Sequence, residues 1–254
     1  MNNHSEPNAS ATTDAPKVWA LVPAFNEADR IRATISALRS RPEIHCIVVV
    51  DDGSTDDTAK IAVAAGANKV LTQKNQGKGT ALATAYAVTP EDVDIILLLD
   101  SDLGASASEA VKLLRPLMHD EADMAIGMLP PDPDFAAAGK SGGTGIVVRL
   151  ANWGIHRATG RRFRQPLSGQ RAIRRSALEK SGAKFASGYG VEVALTIAVL
   201  RAGLRIVEVE THFRHKVTAS DVGGILHRTR QLVHVARALA AGPVAPAMDS
   251  KGPG

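Results

Sequence analysis

Aromatic residues and cysteines are scarce in this chain of 254 residues, and each shortage excludes a class of protein. Phe, Trp and Tyr make up only 4% of the sequence, which argues against an RNA- or single-strand-binding surface built on stacked rings. The single cysteine, Cys46, excludes an internal disulfide and a cysteine-rich zinc site. The longest purely aliphatic run, residues 95–99, is far shorter than the ~20 residues of a membrane-spanning helix. Residues 1–14 are polar and lack the apolar segment of a secretory signal, so a cytoplasmic location is expected.

Charge is unevenly distributed, although the formal net charge is only +4. Residues 1–135 hold 11 basic and 20 acidic side chains, a net of −9, and residues 136–254 hold the remaining 19 basic and 6 acidic side chains, a net of +13. The hydrophobic fraction of 44% is typical of a globular protein with a core. The length suits one α/β domain or two small ones. Any function assigned to the chain has to account for the change of sign between its halves.

Short apolar runs alternate with helical patterns in the first half, which predicts a parallel sheet with right-handed helical crossovers. The expected strands are residues 18–23, 44–50, 69–71 and 94–99. The expected helices are residues 26–40, 54–65, 78–87 and 106–118, with Ser54 as the N-cap of the second. Ligands of such sheets bind at the carboxyl ends of the strands. Acidic residues stand at three of these ends, in the segments VPAFNE (22–27), DDGS (51–54) and DSD (100–102).

The second half has a different character. Residues 130–145 are rich in Pro, Ala and Gly and are interpreted as a mobile loop, and residues 1–16 and 242–254 as disordered tails. Strands are expected at residues 169–172 and 205–210. Helices are expected at residues 146–159, 176–181, 191–202 and 221–239.

Two of the motifs suggest binding of a metal and of an anion. Asp100 and Asp102 flank one small residue after a buried strand, and carboxylate oxygens are suited to Mg²⁺ or Mn²⁺ together with substrate phosphates. The segment NQGKG (75–79) precedes a helix and forms a plausible anion site. Each motif has a simpler interpretation, because acids often end strands and glycines often form turns.

Taken in order, the segments VPAFNE (22–27), VVVDDGSTD (48–56), NQGKG (75–79) and LDSD (99–102) resemble the nucleotide-sugar half of family 2 glycosyltransferases. The resemblance implies the α/β fold called GT-A, a Rossmann-like, mostly parallel sheet flanked by helices. It implies a single domain with a nucleotide-sugar half (17–128) and an acceptor half (129–241). The implied nucleotide pocket, with Asp52 near the base and Lys78 near the diphosphate, is lined by Pro23, Ala24, Phe25, Asn26, Glu27, Asp52, Lys78, Asp100 and Ser101.

The second half carries a narrower resemblance. The segments PLSGQRA (166–172) and GYGVE (188–192) are similar to the acceptor-side motifs of glucosyl-3-phosphoglycerate synthases and related bacterial enzymes. The acceptor-binding residues that this implies are Gly169, Arg171, Tyr189 and Glu192. In that family a histidine late in the chain joins the metal site. The resemblance therefore implies Asp102 and His215 as metal ligands in this chain, with His212 as the alternative to His215.

These features predict a metal-dependent glycosyltransferase that uses Mg²⁺ or Mn²⁺. It would move a hexose from a nucleotide sugar, with UDP favoured over GDP, to a hydroxyl of an anionic small-molecule or lipid-linked acceptor. The expected catalytic residues are Lys78, Asp102 and Glu192. Glu192 would orient hydroxyls or act as a base, or would simply favour the start of a helix. Resemblance to the phosphoglycerate enzymes favours retention of the anomeric configuration over inversion.

Three alternatives remain beside this prediction. A GT-A-like nucleotidyltransferase is disfavoured, because residues 23–27 contain neither glycine nor a basic residue. A non-enzymatic protein binding nucleic acid or a membrane surface is disfavoured by the scarce aromatics and the acidic first half, and no nucleic-acid partner is expected. A polyprenyl-phosphate glycosyltransferase, peripheral at the inner face of the membrane, stays open, because residues 221–239 combine an apolar stripe with arginines. A homodimer also stays open.

Overall fold

The computed structural model describes residues 15–129, 144–183, 185 and 190–214. Several expectations concern residues outside these ranges and are not tested by the structure. They are residues 1–14 of the first tail, the second tail, most of the loop 130–145, Tyr189, His215 and the helix 221–239.

Seven strands form one mixed sheet in the described part of the chain. They are β1 (Val18–Ala24), β2 (Cys46–Asp51), β3 (Lys69–Thr72), β4 (Ile95–Leu98), β5 (Met124–Met128), β6 (Arg171–Arg174) and β7 (Ile206–Glu210). Their order across the sheet is β3-β2-β1-β4-β6-β5-β7. Strands β1 to β4 are parallel, β6 runs antiparallel to both β4 and β5, and β7 is parallel to β5. The sheet therefore joins both halves of the chain.

Helices cover both faces of this sheet, as the alternation of side chains along β1 requires. The helices are α1 (Ala28–Arg39), α2 (Thr58–Ala64), α3 (Lys78–Ala87), a 3₁₀ helix (Gly104–Leu113), α4 (Arg115–Met118), α5 (Thr144–Thr159), α6 (Arg175–Ser181) and α7 (Val191–Arg201). Trp19 and Leu21 of β1 pack in a core with α3, α5, α6 and α7. Val18, Ala20 and Val22 pack on the other face with α1, α2, the 3₁₀ helix and α4. No helix among the described residues is long and apolar enough to cross a membrane.

The order of strands and helices in the first half is confirmed, and the differences from the prediction are local. The expected helix 106–118 is instead a 3₁₀ helix followed by the short α4. The two are separate because Pro116, in the first turn of α4, has no N–H to continue the preceding helix. Strand β5 was not expected. The strand expected at 169–172 lies at Arg171–Arg174 and runs antiparallel.

The start of the second helix also differs. Helix α2 begins at Thr58 rather than near residue 54, and the Asp56 carboxylate accepts the Thr58 N–H at 3.0 Å. Ser54 is therefore not the cap of this helix. Its hydroxyl oxygen accepts the backbone N–H of Asn26 at 2.9 Å and so ties the β2–α2 loop to the residues preceding α1.

Candidate active site

A lysine ammonium joins carboxylates from the two halves of the chain. Lys78 is the first residue of α3, Asp100 follows β4, and Glu192 lies in the first turn of α7. The Lys78 Nζ lies 2.6 Å from Asp100 Oδ1 and 2.8 Å from Glu192 Oε1. Burial alone would lower the pKa of Lys78, but the two carboxylates outweigh it and raise the pKa above its ordinary value. The lysine thus stays charged between a donor-side and an acceptor-side acid.

The second oxygen of Asp100 is held by a side chain that the sequence did not single out. The Gln170 Nε2 donates to Asp100 Oδ2 at 2.7 Å, and Gln170 is fully buried. Ser168 fixes this amide in turn, since its hydroxyl lies 3.3 Å from Gln170 Oε1 and 2.6 Å from the Gly127 carbonyl. The only available signal was the position of Gln170 inside the PLSGQRA segment, because its contact with Asp100 crosses between distant parts of the chain.

Gly169 passes directly over the ion pair. A Cβ atom at this position would lie 2.8 Å from Asp100 Oδ2 and would collide with Lys78 Nζ. Only a residue without a side chain lets the backbone approach so closely. The structure therefore places Gly169, one of the expected acceptor residues, against the Lys78–Asp100 pair.

Arg171 has a different place from the one expected for an acceptor-binding residue. It is 1% exposed, and its guanidinium donates to the carbonyls of Ser168 and Pro166 at 2.9 and 3.0 Å and to Thr196 Oγ1 at 2.8 Å. Burial lowers its pKa to about 10, although Glu192 and Glu208 oppose the shift. Because Arg171 is buried and three of its five N–H donors are used by these groups, we assign it to supporting the loop that carries Gly169 and Gln170.

Asp52 also uses its carboxylate within the protein. It is buried and accepts from Gln73 Nε2 at 2.7 Å and from the backbone N–H groups of Gln76 and Gly77 at 2.9 and 2.7 Å. Gly77 has a φ of 90°, in the region that favours glycine. The structure thus shows Asp52 shaping the loop that leads into Lys78.

The loop after β1 is exposed to solvent and is hydrogen-bonded to the β2–α2 loop. Pro23 and Ala24 are buried within β1, whereas Phe25 and Asn26 are exposed. The Asn26 side-chain oxygen accepts the Thr55 N–H at 2.8 Å. The next backbone N–H, that of Glu27, donates to Thr58 Oγ1 at 2.8 Å. These bonds fix the exposed Phe25 and Asn26 beside the carboxyl ends of β1 and β2.

The DSD segment turns sharply around a side chain from α1. The Thr34 hydroxyl donates to the Ser101 carbonyl at 2.8 Å and accepts the Gly104 N–H at 2.8 Å. Ser101 is buried and Asp102 is half-buried. Across the described ranges, no group of three or more His, Cys, Asp or Glu side chains is arranged to hold a metal ion.

The segment after β7 runs along the 3₁₀ helix that follows the DSD turn. The His212 N–H donates to Glu109 Oε2 at 2.9 Å, and the His212 ring nitrogen Nδ1 lies 3.3 Å from the same oxygen. Phe213 is buried against Gly127, where an added Cβ would lie 2.9 Å from its ring. The Arg214 N–H donates to Ser106 Oγ at 2.9 Å. The structure thus places His212 on Glu109 and describes the chain only as far as Arg214, one residue before His215.

Comparison with known proteins decides the family. Residues 19–181, more than half of the chain, match the family described as Glycosyl transferase family 2. The chain belongs to this family. It is a glycosyltransferase, and the predicted enzyme class is confirmed.

Individual relatives agree with this assignment. Glycosyltransferase AglJ of Haloferax volcanii is 34% identical over 218 residues, which cover 83% of this chain and 66% of that protein, so the match spans just under two thirds of its length. Glucosyl-3-phosphoglycerate synthase of Mycobacterium tuberculosis is 31% identical over 232 residues, which cover 83% of this chain and 70% of the synthase.

A solved structure shows the same fold. The crystal structure of the Mycobacterium tuberculosis synthase in complex with Mn²⁺, UDP-glucose and phosphoglyceric acid has a TM-score of 0.70 and 25% sequence identity. The superposed region covers 90% of this chain and 81% of that chain. The predicted α/β class, a mostly parallel GT-A sheet flanked by helices in a single domain, is thereby confirmed.

Proposed function

We propose that this glycosyltransferase moves glucose from UDP-glucose to a hydroxyl of a phosphate-bearing acceptor, with the help of a divalent metal ion. The observation that carries the proposal is the Lys78 ammonium between Asp100 and Glu192, where the two halves of the chain meet. The similar Mycobacterium tuberculosis enzyme has been solved with Mn²⁺, UDP-glucose and phosphoglyceric acid, which supports the choice of donor and acceptor class.

The donor nucleotide would lie at the carboxyl ends of β1, β2 and β4. Phe25 and Asn26 are exposed there and present a ring and an amide to a base and ribose. Glu27 and Ser101 complete this edge. Asp52 acts through the loop of residues 73–77, whose backbone it holds, and so determines where Lys78 meets the diphosphate.

The residues present fit a hard divalent cation. A Mg²⁺-type ion is usually held by one or two carboxylates plus substrate phosphates rather than by a complete protein cage, and the half-buried Asp102 at the DSD turn supplies such a carboxylate. We propose Asp102 as a ligand and His215 as the second. When bound, the ion would neutralise charge on the diphosphate as a Lewis acid.

The described side chains have different roles around the transferred sugar. The charged Lys78 stabilises the negative charge that develops on the leaving diphosphate. Glu192, fixed by Lys78 at the start of α7, orients a hydroxyl of the acceptor or of the sugar. Gly169 leaves room for these groups by bringing only backbone to the pair. Tyr189 stays a predicted acceptor contact.

Isothermal titration of UDP-glucose and GDP-glucose in the presence of Mn²⁺ or Mg²⁺ tests the proposal. We expect metal-dependent binding of UDP-glucose, weakened at least tenfold by Asp102→Asn and unchanged in the matched control Asp92→Asn, whose carboxylate pairs with Lys17 at the surface. Transfer to 3-phosphoglycerate, with glycerate for comparison, then tests the acceptor class. If neither nucleotide sugar binds with either metal, the proposal is wrong.

A further inference from the structure

One outward face of α5 carries a large aromatic ring among basic side chains. Val147, Ala151 and Ile155 pack into the core, so the opposite side of the helix faces solvent. Trp153 lies on that side with its surface 58% exposed. Arg149 and Arg157, four residues before and after Trp153, are also exposed and share its face, since residues four apart lie one above the other on a helix.

The basic face continues into the following loop. Arg161 and Arg162 are exposed directly after the helix. Their position is fixed because Asn152 and Phe163 exchange two hydrogen bonds, of 2.9 Å to the Phe163 N–H and 2.8 Å to its carbonyl. We name Arg149, Trp153, His156, Arg157, Arg161 and Arg162 the α5 face.

No acidic residue interrupts this part of the sequence. Between Asp134 and Glu179 the chain contains no Asp or Glu at all. The acidic residues Glu208 and Glu210 contact Arg164 and Gln165 rather than the α5 face. Arginines near a helix C-terminus are favoured by the helix dipole, which explains Arg157 but does not explain an exposed indole between arginines.

We propose that the α5 face docks on the surface of a membrane that contains anionic phospholipids. Tryptophan is enriched where one side of its ring meets apolar material and its N–H meets water. Arginine is attracted to anionic headgroups, and several together are needed for stable attachment. An exposed indole among arginines fits a peripheral contact of this kind. A surface that binds nucleic acid through phosphates alone has no use for the indole.

The α5 face is connected to the active site by a short piece of chain. The loop that begins with Arg161 and Arg162 continues to Gly169 and Gln170, which contact Lys78 and Asp100. Docking would therefore hold the acceptor half of the enzyme at the membrane surface. The inference does not depend on which donor or acceptor the enzyme uses, because the α5 face shares no residue with the proposed site.

The two tryptophans allow a direct test. Trp19 is 6% exposed inside the core, so Trp153 is the tryptophan whose fluorescence can respond to lipid. The full chain is mixed with vesicles of phosphatidylcholine alone or of phosphatidylcholine with phosphatidylglycerol. We expect co-sedimentation and a blue shift of the emission only with the anionic vesicles, and no blue shift for Trp153→Phe.

Charge reversal distinguishes docking from loose attraction. The double variant Arg161→Glu/Arg162→Glu should lower vesicle binding at least tenfold, since each arginine at an anionic surface contributes a factor of about five. The control Arg32→Glu/Arg115→Glu makes the same change in net charge at two exposed arginines of α1 and α4, on the opposite face of the sheet, and should bind as wild type does. Circular dichroism checks that each variant is folded.

Several results would overturn the inference. One is the absence of binding to anionic vesicles at low salt. Another is equal binding by the double variant and by wild type. Self-association that depends on Trp153, measured by analytical ultracentrifugation without lipid, would show that a second copy covers the α5 face instead. Tight binding of duplex DNA without vesicle binding would assign the arginines to nucleic acid.

Discussion

Lys78 acts at the scale of a single residue by serving two carboxylates at once. Asp100 and Glu192 come from opposite halves of the chain. Their carboxylates would repel each other without the ammonium between them. The raised pKa of Lys78 means that this cation persists through the neutral range, where the leaving diphosphate needs it. The contacts with Asp100 and Glu192 therefore both fix the position of the Lys78 ammonium and keep it charged.

Replacing Lys78 by Met should cost both stability and turnover. We expect a loss of on the order of 2 kcal/mol in the free energy of unfolding, between the values for surface and fully buried pairs, and a fall in kcat of at least a hundredfold. Because the folded-state pKa is raised, the stabilisation is complete below the ordinary pKa of 10.5 and is lost only as pH rises through the raised value.

Urea unfolding at several pH values and steady-state kinetics measure these effects. The matched control is Lys60→Met, because Lys60 pairs with Asp57 at the surface and should contribute little. If Lys78→Met and wild type were equally stable at mildly acidic and neutral pH, the positive charge assigned to Lys78 would be wrong.

Gln170 should act as a positioning residue for Asp100. Gln170→Met keeps the volume but removes the donor to Asp100 Oδ2, so we expect kcat to fall about 10–100-fold, the range known for hydrogen-bond partners of metal-binding side chains. The KM for the acceptor should change little. Gln170→Glu places an acid against Asp100 and should be more harmful at neutral pH than at mildly acidic pH, because one proton between the two acids relieves the repulsion. Equal pH profiles for both variants would indicate a merely structural role.

Strand β6 organises the site at the scale of secondary-structure elements. It lies antiparallel between β4 and β5, so the loop before it arrives at the carboxyl end of β4, where Asp100 lies. A parallel strand would have brought that loop to the other edge of the sheet. The direction of this single strand therefore brings Gly169 and Gln170 to the donor-side residues.

Asp123, which directly precedes β5, ties together the ends of β5, β6 and β7. Its carboxylate accepts the Arg205 N–H at 2.7 Å, and its backbone carbonyl accepts the Arg174 N–H at 3.0 Å. Burial raises the pKa of Asp123, but the hydrogen bonds and charge of Arg205 outweigh it, and the pKa is lowered overall. The contribution of Asp123 to stability is therefore present above the ordinary pKa of 3.8 and is lost as pH falls through the lowered value.

Asp123→Asn should consequently destabilise the protein by about 1–2 kcal/mol at neutral pH, and the difference from wild type should shrink in acid. Thermal unfolding of the variant and of wild type at a series of pH values from neutral to acidic measures this difference in stability. Glu91→Gln, at an exposed position, serves as the control. A constant difference across the whole pH range would show that the carboxylate charge is not the cause.

The separation of charge belongs to the scale of the whole molecule. The acidic excess of the first half includes the carboxylates at the strand ends, such as Asp52 and Asp100, and the basic excess lies in the half assigned to the acceptor. In the fold, one sheet contains strands from both halves. The Lys78–Glu192 ion pair joins a basic residue of the acidic half to an acidic residue of the basic half. The modest total of +4 hides this arrangement.

Donor and metal together should stabilise the whole fold. At a hundredfold excess over Kd, a ligand that binds only the folded state adds about 2.7 kcal/mol, which corresponds to a rise in Tm of about 5–10 °C for a protein of this size. Differential scanning fluorimetry with UDP and Mn²⁺ should show this rise, and a chelator should remove most of it. A rise of the same size with and without the chelator would contradict a metal-dependent donor site.

The sequence by itself determined the family, the order of elements in the first half and the residues at the strand ends. These features are local, because a strand, a helix start or a turn is recorded in neighbouring residues. Lys78, Asp100 and Glu192 could therefore each be selected from their motifs. Their mutual contact could not, since it joins segments that are distant in the chain.

Only the tertiary structure decided which polar groups are available to a ligand and which are used inside the protein. Asp52 and Arg171 carry the right charges for a nucleotide and an acceptor, yet both are buried and engaged by neighbouring loops. Gln170 looked unremarkable in sequence but lies against Asp100 because β6 runs antiparallel. The cost of burying a charge or an amide without partners dictates these pairings, and the partners come together only when the sheet is assembled.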